Sequence, residues 1–368
     1  MSNVKVKFVD LGEHYRRIRD EILPVFDNLS LKGEYIMGEE LKKCENNLAQ
    51  FCETKYVIGV ANATDALILC LKAMGIKEGD EVITPPHSFI ATAGSISAAG
   101  AKPVFVDVKE DYNIDPDKIE KAISFRTKAI MPVHFTGRPA DMDKIMAIAK
   151  KHNLKVIEDA AQAIGARYKG RKVGSLGDAA CFSLHPLKNL HVHGDGGFIT
   201  TNDEELYSKL MKLRNHGLKN RDYCDDWGYN SRLDNIQAGI VNVKLKYIDQ
   251  WNRRKQEIAG FYIKELKHYV KVPSEDMGAV YQLFFIRHPL RDKLQAFLLE
   301  HGIESKVHYP VLIHLQEPAR RLGYKEGDFP VAEGYIKELL SLPVHTELSD
   351  EQVKYVVEKI KFFCGLYG

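Results

Sequence analysis

A single lysine, Lys188, stands in an apolar and glycine-rich stretch that reads CFSLHPLKNLHVHGDGGFITT over residues 181–201. Gly194, Gly196 and Gly197 follow it, which lets the backbone pass close to a neighbouring group. A lysine taken partly out of water loses its proton readily and becomes a nucleophile toward carbonyl carbon. The alternative is an ordinary surface lysine in a flexible hairpin. The glycines do not form a dinucleotide-binding fingerprint, because they lead into a predicted strand and not into a helix.

Polar residues follow two other predicted strands. The segment VANATDAL places Asn62 and Thr64 at the start of a helix, where free N–H groups and the positive end of the helix dipole suit a phosphate. A plain helix cap explains the same residues. In IEDAAQAIG, the carboxylates of Glu158 and Asp159 end a buried strand and must be paired, because an isolated buried charge is costly. An internal ion pair, a helix cap and a cationic ligand nitrogen all satisfy that requirement.

Apolar runs that alternate with helical patterns predict an α/β fold. Nearly continuous apolar strands separated by helices indicate a mostly parallel sheet covered on both faces, in which ligands collect at the carboxyl ends of the strands. A loop, not a helix, joins the last two predicted strands, so one of them is free to run antiparallel. The predicted strands cover residues 55–60, 81–86, 102–108, 128–135, 155–160, 179–185 and 197–202.

The pattern changes near residue 250, which predicts two domains. Residues 1–250 carry the predicted sheet and form a large domain that includes the N-terminal segment. Residues 251–368 combine a long charged helix, the strand VYQLFFIRHPL and further helices, which is typical of a small C-terminal α+β domain.

Composition narrows the class of protein. The formal net charge of +2 gives no reason to expect nucleic acid as a partner, and no apolar run reaches membrane-spanning length. The N-terminus lacks the apolar core of a signal peptide. Six scattered cysteines without a C-x-x-C pair indicate reduced thiols in a cytoplasmic protein, with neither a disulfide framework nor a zinc site.

A phosphate cradle, a strand-end carboxylate and a lone lysine together suit pyridoxal 5′-phosphate, which needs a lysine for its Schiff base and a carboxylate beside its ring nitrogen. In the same order along the chain, GVANATDAL, GDEVITPPHSFIATAGSI, VIEDAAQAIGARYKG, SLGDAACFSLHPLKNL and GYNSRLDNIQAGI resemble the DegT/StrS family of fold-type-I sugar aminotransferases. The resemblance covers nearly the whole chain. It implies a large domain with a mostly parallel seven-stranded sheet between helices, plus a small C-terminal α+β domain.

The resemblance also implies a role for each matched residue. Lys188 would bind the cofactor covalently and carry the transferred proton, and Asp159 would pair with the ring nitrogen. Further cofactor contacts would come from Ala63, Thr64, Phe89, Gln162, Ser183 and Asn230. In the family this asparagine reaches in from the neighbouring subunit, which implies a homodimer with its active site at the interface.

Substrate contacts are expected from His308 and Tyr309 in HYP, and Arg232 is a candidate for an anionic substrate group. His191 and His193 stand where the family has small residues, and we interpret them as substrate contacts or a polar wall. A metal is the alternative for alternating histidines, but three ligands are not evident, so we expect no metal.

Two other departures from the family pattern concern Ala63 and Gln282. Ala63 replaces the glycine of N-G-T-D and must form the turn without that residue's freedom. Gln282 replaces a histidine that relatives often carry, which leaves the substrate open.

The activity implied is transfer of an amino group from glutamate to a keto-sugar, with pyridoxamine phosphate formed between the two half-reactions. Most family members use nucleotide-linked 3-keto or 4-keto deoxysugars for surface polysaccharides such as lipopolysaccharide. The alternative within the family is amination of the terminal aldehyde of an oxidised 3-deoxy-octulosonate. Another class, a non-catalytic regulator that binds pyridoxal phosphate, also fits the family, although the sequence has no basic recognition helix.

Overall fold

The computed structural model describes residues 4–367 of the chain. Its helices are α1 (Leu11–Lys32), α2 (Glu39–Cys52), α3 (Ala63–Ala73), α4 (Ala91–Ala98), α5 (Pro116–Ala122), α6 (Met142–His152), α7 (Glu204–Leu213), α8 (Asn235–Lys244), α9 (Ile248–Leu266), α10 (Arg291–Glu300), α11 (Glu317–Arg320), α12 (Pro330–Glu338) and α13 (Asp350–Tyr367). Its strands are β1 (Tyr56–Val60), β2 (Glu81–Thr84), β3 (Lys102–Phe105), β4 (Thr127–Ile130), β5 (Lys155–Asp159), β6 (Arg167–Tyr168), β7 (Arg171–Lys172), β8 (Ala179–Ser183), β9 (Gly197–Thr201), β10 (Phe284–Arg287) and β11 (Leu339–Leu342). Within the described part of the chain, every helix is too short or too polar to cross a membrane.

All seven predicted strands join one sheet, in the order β1-β9-β8-β5-β4-β2-β3. Strands β8, β5, β4, β2 and β3 run parallel to one another, and β9 runs antiparallel to both β1 and β8. The prediction of a mostly parallel seven-stranded sheet is therefore confirmed, as is the antiparallel strand in its last pair. The short antiparallel pair β6–β7, the helices α1 and α2 and the strand β11 were not predicted.

Successive strand residues point to opposite faces of the sheet, and helices cover both. On one face, Ile83 and Val156 pack in a hydrophobic cluster with residues of α2 and α6. On the other face, Val82 and Ile157 pack in a second cluster with residues of α3 and α7. This double burial explains why the strands read as continuous apolar runs instead of alternating with polar residues.

The C-terminal part of the chain has its own hydrophobic core around the antiparallel pair β10–β11. Helix α9 contributes to two cores, since Ile248 packs in the cluster under the sheet while Tyr262 and Leu266 pack in the C-terminal cluster. The proposed boundary between residues 250 and 251 falls within this helix. The division into two domains stays a prediction.

Gly197 lets β9 pass very close to the start of α3. A Cβ atom built on Gly197 would lie 2.5 Å from the carbonyl carbon of Asn62 and 2.8 Å from the nitrogen of Ala63. Both neighbours are backbone atoms, so they cannot move aside as a flexible side chain can. One of the glycines noted after Lys188 is thus required by the packing of the strand against the first turn of α3.

We expect Gly197→Ala to lower the free energy of unfolding by about 1–3 kcal/mol, the usual cost of forcing extra atoms into a packed site. The matched control is Gly94→Ala in α4, where an added Cβ meets nothing within 4 Å and alanine favours the helix. Denaturant unfolding of both variants at one protein concentration checks this. Equal stability of the two variants would contradict the close approach.

Candidate active site

A cavity of about 770 Å³ opens at the carboxyl ends of the parallel strands. Among the residues expected from the sequence to form the site, those that line it are Ala63, Thr64, Phe89, Asp159, Gln162, Ser183, Lys188, His308 and Tyr309. They come from the carboxyl ends of β5 and β8, from the segments that follow β1, β2, β5 and β8, and from residues 308–309, so the fold gathers residues that lie far apart in the chain.

Glu158, the other carboxylate at the end of this predicted strand, belongs to the protein interior. It is fully buried and accepts hydrogen bonds from His134 Nε2 at 2.9 Å and from the backbone N–H groups of Gly174, Leu176 and Gly177. Burial would raise the pKa of Glu158, but these bonds outweigh burial and the pKa is lowered. Glu158 is thus the internally paired carboxylate of the two.

Asp159 faces the cavity from the end of β5. Its Oδ2 accepts a hydrogen bond from the Thr92 hydroxyl at 2.7 Å, and its Oδ1 accepts one from the Ala161 N–H at 3.2 Å. Burial raises the pKa of Asp159, while the Thr92 bond and the positive charge of Lys188 act in the opposite direction. The carboxylate is therefore well placed to accept a hydrogen bond from a cationic nitrogen in the cavity.

Lys188 stands in the loop between β8 and β9, and its side chain lines the same cavity. Removal from water lowers the pKa of Lys188 to about 8, and the negative charge of Asp159 keeps the pKa from falling further. A sizeable fraction of the amine is thus neutral near physiological pH, as nucleophilic attack on a carbonyl carbon requires.

The first turn of α3 offers hydrogen-bond donors at another part of the cavity wall. The Asn62 side chain caps the helix by accepting from the Asp65 N–H at 2.8 Å, and the Ala66 N–H bonds to the Asn62 carbonyl. Within residues 4–367, the N–H groups of Ala63 and Thr64 have no such acceptor. Ala63 is not among the residues with positive φ, so this turn does not need the freedom of glycine.

Aromatic and imidazole rings form a further wall. Phe89 is 53% exposed, and its ring centroid lies 5.5 Å from that of Tyr309. Burial raises the pKa of Tyr309 to about 12 and lowers the pKa of His308 to about 4, so both rings are neutral near pH 7. Gln162 accepts a hydrogen bond from the Thr136 N–H at 2.7 Å. These rings provide an uncharged boundary against which a planar ligand can pack.

Four residues predicted for the site lie outside the cavity wall. Asn230 is exposed and pairs with Asn215 through the backbone, and Arg232 donates to the Asn215 side chain at 3.3 Å. His191 is buried beneath the lysine loop, where its Nδ1 lies 3.0 Å from the Lys188 carbonyl oxygen. His193 exchanges backbone hydrogen bonds with the Gln237 side chain.

The histidines do not converge as ligands. In the part of the chain that the structure describes, no three side chains of His, Cys, Asp or Glu are grouped so that they could hold a metal ion.

The structure also identifies residues that the sequence interpretation missed. Thr92 contacts Asp159 directly, and it lies in the segment HSFIATAG, three positions after the predicted Phe89. Lys255, Lys306 and Phe8 line the cavity as well. Thr92 could have been found from its spacing to Phe89, and Lys306 from its place two residues before His308. Phe8 and Lys255 come from segments that the sequence analysis did not connect with this site.

Comparison with protein families gives one match over most of the chain. The model of the DegT/DnrJ/EryC1/StrS aminotransferase family matches residues 16–361. A "Pleiotropic regulatory protein" of Geobacillus stearothermophilus is 48% identical over 98% of this chain and 99% of its own length. The "dTDP-3-amino-3,6-dideoxy-alpha-D-galactopyranose transaminase" of Aneurinibacillus thermoaerophilus is 45% identical over 96% and 98% of the two chains.

Solved structures agree with this match. The chain superimposes with a TM-score of 0.96 on S. venezuelae DesV in complex with a ketimine intermediate, at 39% identity over 98% of this chain and 99% of that one. It superimposes with a TM-score of 0.93 on NtdA of Bacillus subtilis with bound cofactor PMP, at 32% identity over 99% of this chain and 87% of that one. The predicted fold class and family are therefore confirmed.

Lys188 should react with aldehydes along a pH profile that Asp159 controls. In the wild-type chain, the rate of covalent capture of an aromatic aldehyde without a phosphate should rise with a midpoint near pH 8. Asp159→Asn removes the negative charge that favours the ammonium form, so its midpoint should move to lower pH. Peptide mass spectrometry quantifies the adduct at Lys188 after borohydride reduction.

Asp195→Asn is the matched control, since Asp195 lines the same cavity but is not among the charges that affect the pKa of Lys188. The pH midpoint of aldehyde capture in Asp195→Asn should equal that of the wild type. An unchanged midpoint in Asp159→Asn would show that the two groups do not interact.

Proposed function

This chain belongs to the DegT/DnrJ/EryC1/StrS aminotransferase family, and we propose that it moves an amino group from glutamate to a nucleotide-linked 3-keto or 4-keto deoxysugar. The observation that carries the proposal is the placement of Lys188, Asp159 and the free N–H groups of α3 around one cavity. Its cofactor is pyridoxal 5′-phosphate, alternating with the pyridoxamine form, as in solved structures of similar sugar aminotransferases.

The residues present fit this cofactor. The unpaired N–H groups of Ala63 and Thr64, with the hydroxyl groups of Thr64 and Ser183 nearby in the wall, would hold its phosphate. The Asp159 carboxylate would pair with its ring nitrogen, and Phe89 would cover its ring. Lys188 would bind its carbonyl carbon. When bound, the cofactor supplies an electron sink for the bond that breaks beside the amino nitrogen.

The protein's own contribution is proton transfer and positioning. As a free amine, Lys188 would take the proton from the α-carbon of the donor and release it again to complete the transfer, a role that its lowered pKa of about 8 suits at neutral pH. The hydrogen bonds from Thr92 and Ala161 favour the negative charge of Asp159, which burial opposes, and a cationic ring nitrogen beside the carboxylate would favour that charge further. The aromatic wall around Tyr309 and His308 would limit the access of water once the cavity is occupied.

The sugar would enter from the side of Phe8, His308 and Lys306. Phe8 and His308 stack with ring centroids 5.6 Å apart, and the Lys306 ammonium lies 5.2 Å from the Phe8 ring. Lys306 is exposed at this rim, where an ammonium suits a phosphate or a carboxylate of the substrate. A carboxylate-bearing substrate, the oxidised 3-deoxy-octulosonate, is therefore kept as the alternative acceptor. The product expected is an amino sugar for surface polysaccharide.

A non-catalytic regulator is the second candidate, because the relative that is 48% identical carries the name of a regulatory protein. The two candidates differ in what happens after the cofactor binds. An aminotransferase converts the cofactor with glutamate and regenerates it with a keto-sugar, whereas a sensor keeps it unchanged. The neutral fraction of Lys188 and the wide cavity beside it favour the enzyme.

A homodimer that shares its active sites is part of the proposal. Asn230 is exposed and lies outside the cavity of its own chain. Near it on the same loop, Tyr223 is 70% exposed and Trp227 is 91% exposed, and large aromatic side chains in such positions are usually covered by a partner. We propose that this loop, residues 217–230, contacts a second copy and presents Asn230 to the phosphate site there.

We also propose a cytoplasmic location. The buried thiols of Cys70 and Cys181 have sulfur atoms 3.5 Å apart and remain free, which suits a compartment that keeps thiols reduced.

The first experiment is an absorption spectrum of the protein loaded with pyridoxal phosphate. Glutamate should bleach the visible band of the lysine-bound cofactor, and an accepted keto-sugar should restore it. Lys188→Ala should lack the band and lose about 10²–10⁴-fold in turnover, the usual contribution of a positioned proton-transfer group. Lys293→Ala, at an exposed lysine in α10, should behave like the wild type.

A band that glutamate does not change would refute the proposed donor, and failure of every amino donor would favour the regulator. Mass spectrometry of the products from nucleotide-linked keto-sugars and from the oxidised octulosonate distinguishes the two proposed acceptors.

Mixed dimers test the shared site. Lys188→Ala and Asn230→Asp should each be inactive or strongly impaired, the second because a carboxylate would face the phosphate. In a refolded equimolar mixture, half of the dimers are hybrids with one intact site each, so activity should recover to about a quarter of the wild-type value. Activity of the mixture equal to the average of the two separate variants would refute the exchange of Asn230 between subunits.

A further inference from the structure

Gln282 holds the backbone on both sides of Lys188. Its Nε2 donates a hydrogen bond to the Leu187 carbonyl oxygen at 2.6 Å, and its Oε1 accepts one from the Asn189 N–H at 2.9 Å. Gln282 is only 8% exposed, so water does not compete strongly for these bonds. One side-chain amide thus contacts the residues before and after the reactive lysine.

The loop that Gln282 contacts has little regular structure of its own. It connects β8 with β9, and near Lys188 it forms a turn in which the Lys188 N–H bonds to the His185 carbonyl at 2.9 Å. The Lys188 carbonyl oxygen lies 3.0 Å from His191 Nδ1. A loop of this kind depends on side chains from elsewhere to fix its backbone.

Asn189 is held by its side chain as well. Its Nδ2 donates to the Val280 carbonyl at 3.0 Å and to Asn252 Oδ1 at 2.8 Å, and its Oδ1 accepts from Lys255 Nζ at 2.7 Å. All of these partners come from residues 252–282, outside the strands of the main sheet. The anchor of the lysine loop is therefore α9 and the segment before β10.

The segment that carries Gln282 is itself tightly placed. The Val280 N–H bonds to the Gly137 carbonyl at 3.0 Å, and a Cβ built on Gly137 would lie 3.0 Å from the Gln282 nitrogen. Tyr281, directly before Gln282, has a φ of 44° in the left-handed region. This crossing fixes where the Gln282 amide points.

We propose that Gln282 is a positioning residue that sets the place of the Lys188 backbone, and through it the place of the Lys188 amine in the cavity. This rests on the proposed function only in taking Lys188 as the reactive amine. The role needs a donor and an acceptor at once, which glutamine supplies and leucine does not. A carboxyl group supplies both only when it is protonated, because a carboxylate has no hydrogen for the Leu187 carbonyl.

The test compares Gln282→Leu and Gln282→Glu with the wild type, using chains free of cofactor. The first measurement is the rate at which Lys188 captures added pyridoxal phosphate, with each variant expressed as a ratio to the wild type at the same pH. The second is hydrogen exchange of the peptide around residues 184–191. Gln256→Glu is the matched control, since Gln256 donates to the carbonyls of Met277 and Ala279 on the same segment without contacting the lysine loop.

We expect Gln282→Leu to slow capture about 10–100-fold at every pH, the scale of a reactive group displaced by roughly 1 Å, and to speed exchange around Asn189. Gln282→Glu should approach the wild-type rate at acid pH. The ratio of its capture rate to the wild-type rate should fall as the pH rises through the pKa of the new carboxyl. Burial and the facing Leu187 carbonyl should hold that pKa above the ordinary value of about 4.3. The ratio of the Gln256→Glu capture rate to the wild-type rate should be constant with pH.

A wild-type rate and wild-type exchange in Gln282→Leu would overturn the inference, as would a Gln282→Glu ratio that does not change with pH. If Gln282→Leu fails to fold, the pH dependence of Gln282→Glu still decides the question. If Lys188→Ala still forms the same amount of adduct, pyridoxal phosphate is captured at another residue. That result would overturn the proposed function and not the role of Gln282, so the two failures are distinguishable.

Discussion

Asp159 carries a buried carboxylate at the end of β5, the middle strand of the sheet, and its hydrogen bonds come from the uncharged donors Thr92 and Ala161. A buried anion is costly unless a positive charge compensates it. Glu158, next in the chain but on the opposite face, has its own internal partner in His134. Asp159 therefore depends on positive charge in the cavity, which Lys188 and a protonated ring nitrogen can provide.

The same electrostatic balance sets the chemistry of Lys188. Loss of hydration favours the neutral amine, and Asp159 favours the ammonium ion. The resulting pKa of about 8 is below that of an ordinary lysine, but it is higher than burial without Asp159 would leave it. Such a balance works only if the distance between the two groups is fixed. The backbone bonds of Gln282 and the side-chain bonds of Asn189 supply that constraint on the lysine side, and the strand supplies it on the aspartate side.

The sheet could be predicted because strands that are buried on both faces have continuous apolar sequences. Asp159, Lys188 and Thr64 could be predicted because they lie at or shortly after the ends of those strands. The contacts of Gln282 and Lys255 could not be predicted in the same way, since they join residues more than sixty positions apart and no local pattern encodes them. His191 was interpreted as a substrate contact or part of a polar wall; its ring is buried with Nδ1 3.0 Å from the Lys188 carbonyl oxygen, a contact that no local pattern encodes. Helices α1 and α2 were not predicted.

Helix α9 has a mechanical consequence for how substrate can enter. Its first turn is packed under the sheet and its last turns are packed in the C-terminal core, with Asn252 and Lys255 between them reaching the lysine loop. A continuous helix resists bending, so the two cores cannot swing apart about a flexible linker as the halves of a hinged enzyme do. If a large substrate enters, we expect the cavity-wall segments around Phe8 and Phe89 to move, because they lie outside this helix.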